Sequence, residues 1–569
     1  MFLQKIAIEN FRGIKNLTVE LDDTTVFIGE NNTGKSSILD ALQICLARSL
    51  TRKGGIFGEY DYHLPNKNSQ PSDCEPIEIV LTFTEQSESE WPDEVAQILA
   101  DAIQIDDNGL QSIILDVKSR YDETIKDFDT TWDFLDLKGN PLPKAKNPRL
   151  IIQLQQLSPM FYLAALRDVA QEFRPKSQFW GPFVRSLKID AQLREELEQS
   201  LSELNQRVLD AHESFDSVRE RLKKAGDLVP LDPDDPVGIE AIPGKVFDML
   251  SRTQVMLTSK AGARLPIGRH GEGTQSLAVI CLFDAFLQSR LKEGYGDHAV
   301  PILALEEPEA HLHPSAIRSV AGMLNSFKGQ KLISTHSGDL VSGIPLTSLR
   351  RLRRKDGLIA IYRIKDNSFN QNEINRLNYH IRETRGNLLF SRCWVLVEGE
   401  TDYLVFNECS RILGKDLVSE GVCCIEFTKI GVELFIKLAE QLGIEWLIVV
   451  DNDPSGEQYY QSGKKQLGNK TEGRHIHKLS HGDIEVHLCM EGYGHIFEKN
   501  ISEQKKGSIT ASKGSLEYWK QVINAQPNKS KPKTMLSVIQ EIEKRGSEGV
   551  PEQINKIINT ALDLALETT

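Results

Sequence analysis

Apolar and polar residues alternate along this chain with two different periods, which predict where its strands and helices lie. Residues 3–9 and 16–21 alternate as strands do, and TTVFIG (24–29) is a third candidate strand, followed by the helical pattern SSILDALQICLA. From about residue 390 onwards, apolar strands such as CWVLVEG and EWLIVV alternate with helical patterns such as GVELFIKLAEQL. Repeated βα units of this length predict a small, mainly parallel sheet with helices on both faces.

A helical segment with a seven-residue repeat is predicted inside the first half. From 197 to 222, apolar residues are spaced alternately four and three apart, with Glu, Arg, Lys and Gln between them. They are Leu197, Leu201, Leu204, Val208, Ala211, Phe215, Val218 and Leu222. Such a seam pairs either with a partner chain or with a neighbouring helix of the same chain, and the sequence leaves both open.

Length and composition narrow the class of protein. A chain of 569 residues favours two or three domains, and a net charge of −14 confines any nucleic-acid surface to a local patch. The eight cysteines include no CxxC pair, which favours reduced thiols over a zinc ribbon. Charge interrupts the N-terminus too early for a signal peptide, and no apolar run reaches the roughly 18 residues of a membrane helix. We therefore expect a cytoplasmic protein without a membrane segment.

The segment GENNTGKSS (29–37) matches the phosphate-binding pattern GxxxxGK[ST] and lies between a predicted strand and a predicted helix. Backbone N–H groups of such a loop, together with the helix N-terminus, bind phosphates. Lys35 is expected to reach the outer phosphates of ATP, and Ser36 to hold Mg²⁺. The candidate nucleotide-binding residues of the loop are Gly29, Asn32, Gly34, Lys35, Ser36 and Ser37.

A second buried strand, in PILALEEPEAHLHP (301–314), ends in two acids. Glu306 suits the Mg²⁺ shell, and Glu307 suits a general base or a water-positioning role at the γ-phosphate. Before this strand lies RHGEGTQSLAVICLFDAF (269–286), a glycine-rich turn followed by a helix, and after it KLISTHSGDLV carries His336 at a strand end. The long separation of Lys35 from the acids predicts a large insertion.

The order of these elements resembles the ABC-type ATPase head of SMC and RecF proteins. More narrowly, IENFRGI and EEPEAHLHP resemble the ATPase half of OLD (overcoming lysogenization defect) nucleases. The resemblance implies that two heads dimerise, with Gly271, Gly273 and Thr274 of one head facing the nucleotide of the other, and that His336 senses the γ-phosphate. It also implies a nucleotide contact for Arg12, for which an ordinary surface arginine is the alternative.

Three pairs of acids accompany the strands predicted in the second half, one of them within DIEVHL, which itself reads as a strand. The pairs are Glu398 with Asp402, Asp451 with Asp453, and Asp483 with Glu485. Carboxyl ends of parallel strands meet at one edge, and six carboxylates gathered there repel one another unless a cation balances them. All-oxygen ligands favour Mg²⁺, Mn²⁺ or Ca²⁺, and two such ions about 4 Å apart suit phosphodiester hydrolysis. The alternative is three sets of solvated loop acids.

The order EGETD, DND and DIE resembles the Toprim domain, and an ABC head followed by Toprim is similar to the OLD family. The resemblance implies an ATP-governed, metal-dependent DNA endonuclease or nickase that serves in bacterial anti-phage defence. It implies a C-terminal lysine that stabilises the transition state, for which Lys531 is the candidate. It also implies a helicase-like or retron reverse transcriptase partner, with a protein that acts alone as the alternative.

A lysine-rich segment near the C-terminus is the candidate DNA surface. Seven lysines and one acid lie between Lys505 and Lys533, with Tyr518 and Trp519 among them. Such a run suits a phosphate backbone and stacked bases. The alternative is a solvated loop with one buried aromatic residue.

Together these patterns predict an α/β protein with an ABC/SMC-like ATPase domain, a helical dimerisation insertion, a Toprim domain and a helical C-terminal tail. The expected regions are 1–175 and 246–385 for the ATPase, 176–245 for the insertion, 386–500 for Toprim, and 501–569 for the basic, helical tail. A homodimer or higher homo-oligomer acting on DNA is expected. The rival function is an SMC- or RecF-like ATP-driven DNA clamp whose Toprim fold only docks. No winged-helix module for a topoisomerase and no zinc domain for a primase is recognisable.

Overall fold

The computed structural model describes residues 1–46, 56–66, 68–124, 126–164, 189–211, 213–223, 239–251, 255–258, 262, 264–289, 291–355, 357–384, 386–527 and 531–567. The strands are β1 (Phe2–Phe11), β2 (Ile14–Glu20), β3 (Thr24–Gly29), β4 (Ile77–Thr84), β5 (Gln104–Ile105), β6 (Gln111–Asp122), β7 (Asp127–Leu135), β8 (Met160–Leu163), β9 (Met256–Thr258), β10 (Arg264–Pro266), β11 (Ile302–Glu306), β12 (Gln330–Ser334), β13 (Leu349–Lys355), β14 (Leu358–Tyr362), β15 (Cys393–Val397), β16 (Val422–Glu426), β17 (Glu445–Val450) and β18 (Ile476–Lys478).

The helices fall mainly between the parallel strands and after the last one. They are α1 (Lys35–Leu46), α2 (Asp93–Ile98), α3 (Pro148–Leu157), α4 (Ala191–Asp210), α5 (Glu213–Lys223), α6 (Val246–Ser251), α7 (Glu272–Ser289), α8 (Leu291–Tyr295), α9 (Pro314–Ser326), α10 (Gly338–Ser342), α11 (Gln371–Glu383), α12 (Glu400–Ile412), α13 (Val432–Leu442), α14 (Pro454–Lys465), α15 (Glu472–His475), α16 (Ile484–Leu488), α17 (Gly494–Lys499), α18 (Glu503–Lys506), α19 (Leu516–Asn524), α20 (Lys531–Arg545) and α21 (Glu552–Leu566).

Two six-stranded sheets form the first half of the protein. The first is antiparallel, with the order β2-β1-β4-β6-β5 and with β7 also paired to β6. The second has the order β14-β13-β3-β12-β11-β8 and is parallel except for β14. Apolar residues of both sheets and of α1, such as Ile79, Phe27 and Leu39, share one buried core. The three strands predicted at the N-terminus are confirmed, and the parallel sheet brings the ends of β3, β11 and β12 to one edge.

The second half contains the predicted parallel sheet, with the strand order β16-β15-β17-β18. Successive residues of β15 face opposite sides, as strand geometry requires. Trp394 and Leu396 pack into a core that includes α13, while Val395 and Val397 pack into another that includes α12, α20 and α21. The C-terminal segment is helical as predicted, and its last two helices help to cover the second face of this sheet.

The two halves share buried apolar packing. Val26 of β3 and Leu349 of β13 belong to the same core as Trp394 and Trp446 of the second-half sheet. Burial of apolar area stabilises contacts in proportion to that area, so a continuous core ties the two sheets together mechanically. A displacement of one sheet can therefore be transmitted to the other through this shared core.

The insertion is helical, but its seven-residue repeat does not run through one continuous helix. The structure has two helices there, because α4 ends at Asp210 and Ala211 forms its C-cap. Of the repeat positions, Leu201 is buried whereas Leu204 and Val218 are exposed, so too little packing supports one long helix. The side chain of Leu222 lies outside the described residues.

The insertion also contacts its own chain. The Asn205 side chain donates to the carbonyl of Ile239 (3.0 Å) and accepts from the N–H of Ala241 (2.8 Å). These contacts are made by Asn205, which is not a seam position, to a non-helical segment, so both alternatives for the apolar seam stay open. Among the described residues, no helix combines the length and the apolar character needed to cross a membrane.

Candidate nucleotide site and acidic site

The phosphate loop lies between β3 and α1, and its glycines are there for steric reasons. Gly29 has φ +146°, and a Cβ at this position would lie 2.3 Å from the carbonyl oxygen of Leu352. Gly34 has φ +89°, and its Cβ would lie 2.9 Å from Cδ1 of Ile359. Asn32 also has a positive φ, of 60°, which Asn tolerates better than most residues. Only glycine therefore fits at the two ends of this turn.

Lys35 is the first residue of α1, and its side chain is buried. Its ammonium group donates to the carbonyls of Gly29 (2.9 Å) and Glu30 (2.7 Å). Burial lowers the pKa of Lys35 to about 8, although the charges of Glu307 and Glu30 oppose this effect. An anion at the helix N-terminus would favour the charged form, because it replaces the lost solvation.

Glu306 lies at the end of β11, beside the start of α1. Its carboxylate accepts hydrogen bonds from Ser36 Oγ and from Tyr162 Oη, the latter at 2.8 Å. Tyr162, which no sequence pattern singles out, lies on β8 in parallel register with β11. Only the strand order reveals it, because a lone tyrosine in an apolar strand carries no sequence signal.

Glu307 and His336 lie side by side on the loops that follow β11 and β12. Glu307 has φ +43°, an uncommon conformation for a residue with a side chain, and such strain is often found at functional sites. The Nε2 atom of His336 is 3.9 Å from Glu307 Oε1. Burial, followed by the charge of Lys35, lowers the pKa of His336, so the neutral ring is favoured.

A third acid, Glu309, ties these two loops together and was also missed in the sequence. Its Oε1 accepts from Thr335 Oγ1 (2.5 Å) and from the N–H of His336 (3.0 Å). Its Oε2 is buried without a hydrogen-bond partner, and burial raises the pKa of Glu309. The contact orients the loop that carries His336, which gives Glu309 a positioning role.

The helix that follows the glycine-rich turn begins earlier than predicted, by one helical turn. Helix α7 starts at Glu272, so Gly273 and Thr274 lie inside its first turn rather than before the helix. Gly271 and Thr274 are exposed, and a Cβ at Gly273 would lie 2.7 Å from the carbonyl oxygen of His311. The segment thus packs closely on the turn after β11 while keeping an exposed edge.

Arg12 is held by two carboxylates. It forms ion pairs with Asp40 of α1 and with Asp61, the latter at 2.8 Å from Nε. The side chain therefore links the first sheet to the helix that starts at Lys35. A direct contact of Arg12 with the nucleotide stays a prediction.

The acids of the second half lie on three turns that are bonded to one another. Glu398 follows β15, and its Oε1 accepts from the N–H of Asp451 (2.7 Å), which follows β17. Asn452 donates its N–H to the carbonyl of Gly482 (2.7 Å), and Gly482 directly precedes Asp483. The folded backbone thus holds the acid-bearing turns beside one another, although they are far apart in sequence.

The prediction of a strand for DIEVHL is wrong. The segment Ile484–Leu488 is helix α16, and Asp483 is its N-cap, whose side chain accepts from the N–H of Val486 (2.8 Å). A short alternation of apolar and polar residues fits strand and helix alike, and the capping aspartate decides for the helix. Asp453 caps α14 in the same way, through the N–H of Gly456 (2.7 Å).

Asp402 occupies the first turn of α12 and is only 6% exposed. Burial, followed by the charges of Glu485 and Glu398, raises the pKa of Asp402 to about 8. Each of these charges can disfavour ionisation of Asp402 only from nearby. The structure therefore places acids of the first and third pairs within electrostatic range of one another.

Asp451 is the acid that the others affect most. Burial, followed by the charges of Asp402, Glu398, Asp483 and Asp453, raises the pKa of Asp451 to about 9. Its Oδ1 is buried without a hydrogen-bond partner. Charges from all three pairs thus act on one carboxyl group. Three separate sets of solvated loop acids would not affect one another in this way.

The carboxylate oxygens of this cluster suit a divalent cation. The side chains, however, are not arranged as ligands around one ion. No three His, Cys, Asp or Glu side chains within the described ranges are arranged to hold one ion. Carboxylate oxygens are the preferred ligands of Mg²⁺, Mn²⁺ and Ca²⁺. The buried oxygen of Asp451 and the mutual repulsion of the acids are the features that such a cation would relieve.

The lysine-rich segment does not offer Trp519 as a surface for stacking bases. Trp519 is buried, and the Cβ of a residue other than glycine at 494 would lie 2.2 Å from its ring, so Trp519 cannot stack on a base. Tyr518 donates its hydroxyl to Glu498, which also pairs with Lys513 (3.2 Å). Lys531 opens α20, and its side chain lies outside the described residues.

Two family descriptions match adjacent parts of the chain. Residues 1–387 match "Protein of unknown function (DUF2813)", and residues 389–453 match "Overcoming lysogenization defect protein-like, TOPRIM domain". The second match confirms the Toprim domain that the acid pattern predicted.

Similar proteins cover most of the chain. An uncharacterised protein of Escherichia coli K12, YbjD, is 28% identical over 99% of both chains. The "OLD nuclease" of Thermus scotoductus is 25% identical over 79% of this chain and 82% of its own, and the "Endonuclease GajA" of Bacillus cereus is 21% identical over 89% and 84%. Among solved structures, an Smc head domain from Pyrococcus furiosus aligns with 68% of this chain and 99% of its own, at 13% identity and a TM-score of 0.39.

Proposed function

This chain belongs to the DUF2813 family and carries an OLD-like Toprim domain, and from this premise we propose that it is an ATP-governed, divalent-metal-dependent DNA endonuclease or nickase. The observation that carries the proposal is the convergence of all three acid pairs on Asp451, whose pKa is raised to about 9. The names of the OLD and GajA relatives supply the nuclease activity.

In this proposal the acidic cluster holds one or two Mg²⁺, Mn²⁺ or Ca²⁺ ions through its carboxylates. The ligands are Glu398, Asp402, Asp451, Asp453, Asp483 and Glu485. Once bound, such ions lower the pKa of water and stabilise the leaving oxygen of a phosphodiester. The chain itself orients the carboxylates, because backbone N–H groups hold one oxygen each of Glu398, Asp453 and Asp483. Lys531 is proposed to stabilise the negative charge of the transition state.

The nucleotide site would bind ATP with Mg²⁺ at the phosphate loop. Lys35 and Ser36 lie at the start of α1, and Glu306 contacts Ser36 directly, which suits a shared metal shell. Glu307 is proposed to orient the attacking water, with His336 beside it at the γ-phosphate. The contacts among these groups support the proposal.

We further propose that two chains pair head to head. The exposed Gly271 and Thr274 would face the nucleotide of the partner, and the exposed Leu204 and Val218 offer apolar area for a contact between insertions. Free thiols at all eight cysteines suit a cytoplasmic location. A role in anti-phage defence, and a helicase-like or reverse transcriptase partner, remain predictions of the family resemblance.

The test is a plasmid-nicking assay with the full chain. Supercoiled DNA is incubated with Mg²⁺ or Mn²⁺, with and without ATP, and Asp451→Asn is compared with Asp563→Asn, an exposed aspartate of α21. We expect divalent-dependent nicking by the wild type and by Asp563→Asn, and none by Asp451→Asn. Nicking that survives Asp451→Asn would refute the assignment of the site.

The clamp alternative has one observation in its favour. The described side chains do not form a ready-made ligand set for an ion, as expected for a Toprim fold that only docks. In the same assay the clamp predicts intact plasmid under every metal condition, together with ATP hydrolysis that DNA stimulates.

A further inference from the structure

The residue that leads into the Toprim sheet lies against the phosphate loop. Arg392 immediately precedes β15, and its Nε forms an ion pair with the carboxylate of Glu30. Glu30 follows Gly29 within the phosphate loop, 362 positions earlier in the chain. The region matched by DUF2813 ends at residue 387, so this contact comes from outside it. The phosphate loop is thus contacted by a residue of the second half.

Both partners of this ion pair are firmly anchored. The N–H of Arg392 donates to the carbonyl of Gly421 (2.6 Å), and its own carbonyl accepts from the N–H of Glu445 (2.9 Å). Its backbone is therefore fixed between the starts of β16 and β17. On the other side, the carbonyl of Glu30 accepts from Lys35 Nζ (2.7 Å) and from Thr33 Oγ1 (2.8 Å).

The negative charge of Glu30 acts on the phosphate-binding lysine. It is one of the two charges that raise the pKa of Lys35 against the effect of burial, so the carboxylate lies within electrostatic range of the phosphate position. It also raises the pKa of the buried Arg351 on β13. An uncompensated carboxylate here would repel the phosphates of a nucleotide, and Arg392 supplies the compensating charge.

We propose that Arg392 is a positioning residue of the nucleotide site, which holds the phosphate loop through Glu30 and cancels the repulsion between Glu30 and ATP. The proposal depends on the ATP-binding part of the proposed function. It makes ATP binding dependent on the residue that precedes the first strand of the Toprim region. Because coupling between two sites is reciprocal, a nucleotide in the loop acts equally on the start of β15, whose other end leads into Glu398.

The experiment measures the affinity of the full chain for a fluorescent ATP analogue in the presence of Mg²⁺. Arg392→Gln removes the compensating charge and is expected to weaken binding by about three- to fivefold, the scale of a partly exposed ion pair. Glu30→Gln combined with Arg392→Gln removes the repelling charge as well, so its affinity should return to within about twofold of the wild type. Arg392→Lys should recover part of the loss. Arg411→Gln is the matched control, since Arg411 pairs with Glu408 and Glu543 on the Toprim surface.

The outcomes separate this proposal from the one on which it depends. A purely structural role for the ion pair predicts that the double variant binds no better than Arg392→Gln, and that result would overturn the proposal. Equal affinity of Arg392→Gln and the wild type would overturn it as well. A wild type that binds no nucleotide would overturn it together with the ATP half of the proposed function. Loss of DNA cleavage has no bearing on any of these readings.

Discussion

Arg351 makes hydrogen bonds between the two halves of the protein, and removing them gives the sharpest test of how the halves are joined. This residue lies on β13 of the first half and is only 3% exposed. Its guanidinium donates to the carbonyls of Ser391 (2.9 Å), Leu442 (3.0 Å) and Gly443 (3.0 Å), and more weakly to Leu389 (3.3 Å). Two of these carbonyls are at the C-terminal end of α13, where a cation is favoured by the helix dipole. The side chain thus joins the parallel sheet of the first half to the Toprim domain.

Two opposing effects decide the cost of Arg351→Met. Buried carbonyls left without a donor cost about 1–3 kcal/mol each, and this applies to Ser391 and Leu442. Gly443 keeps a second donor, Arg353, at 2.9 Å. Against this, burial lowers the pKa of Arg351 from 12.5 to about 10, so removing the charge recovers about 3 kcal/mol. Loss of the bonds to Leu389 and Gly443 adds a smaller cost. The apparent free energy of unfolding should therefore fall by about 2 kcal/mol.

The assay is unfolding of the full chain in urea, followed by tryptophan emission. Trp394 and Trp446 are fully buried in the Toprim region and report on its packing. Arg411→Met is the control, because its ion pairs are exposed to solvent and should contribute little to stability. If Arg351→Met unfolds at the same urea concentration as the wild type, or at a higher one, then the carbonyl contacts do not stabilise the junction and the reasoning is refuted.

Three further predictions concern the two sites and the first sheet. Gly456→Ala should abolish DNA cleavage, because the added Cβ would lie 2.0 Å from the carbonyl oxygen of Asp451 and displace the acid-bearing turn. Glu309→Ala should slow ATP turnover by about tenfold with little change in nucleotide affinity, since one charge-assisted hydrogen bond to the loop of His336 is worth about 1.5 kcal/mol. Burial raises the pKa of Asp116 to about 6, so Asp116→Asn should stabilise the protein by up to about 3 kcal/mol at pH 8 and by almost nothing at pH 4.

Each of these predictions has its own control. Gly473→Ala should leave cleavage intact, since a Cβ there meets no atom within 4 Å; equal losses in both variants would contradict the steric argument. Glu309→Gln retains an acceptor and should recover part of the turnover, and an unchanged rate in Glu309→Ala would exclude the positioning role. For Asp116, the wild type should lose only this group's contribution, up to about 3 kcal/mol, as pH rises through about 6, and a gain in Asp116→Asn that is independent of pH would contradict the assigned cause.

The local patterns predicted some elements well and failed where two periods fit the same residues. The phosphate loop was recognisable because glycines at 29 and 34 meet strict steric limits, and the parallel Toprim strands because their apolar runs are long. The helix of DIEVHL escaped because five residues cannot distinguish a period of two from one of 3.6. For Trp519 the sequence leaves a DNA surface and a buried aromatic ring both open, because only the close approach of Gly494 shows that its ring is buried.

By itself, the sequence determined the βα architecture, the phosphate loop and the identities of the acids, because these follow from periodicity and from steric limits within a few neighbouring residues. Only the tertiary structure decided which distant groups meet. Tyr162 beside Glu306 and Arg392 beside Glu30 are contacts across the fold, 144 and 362 positions apart. Their pairing depends on strand order and on the packing of two sheets against one another, and in a single sequence neither has a local signature.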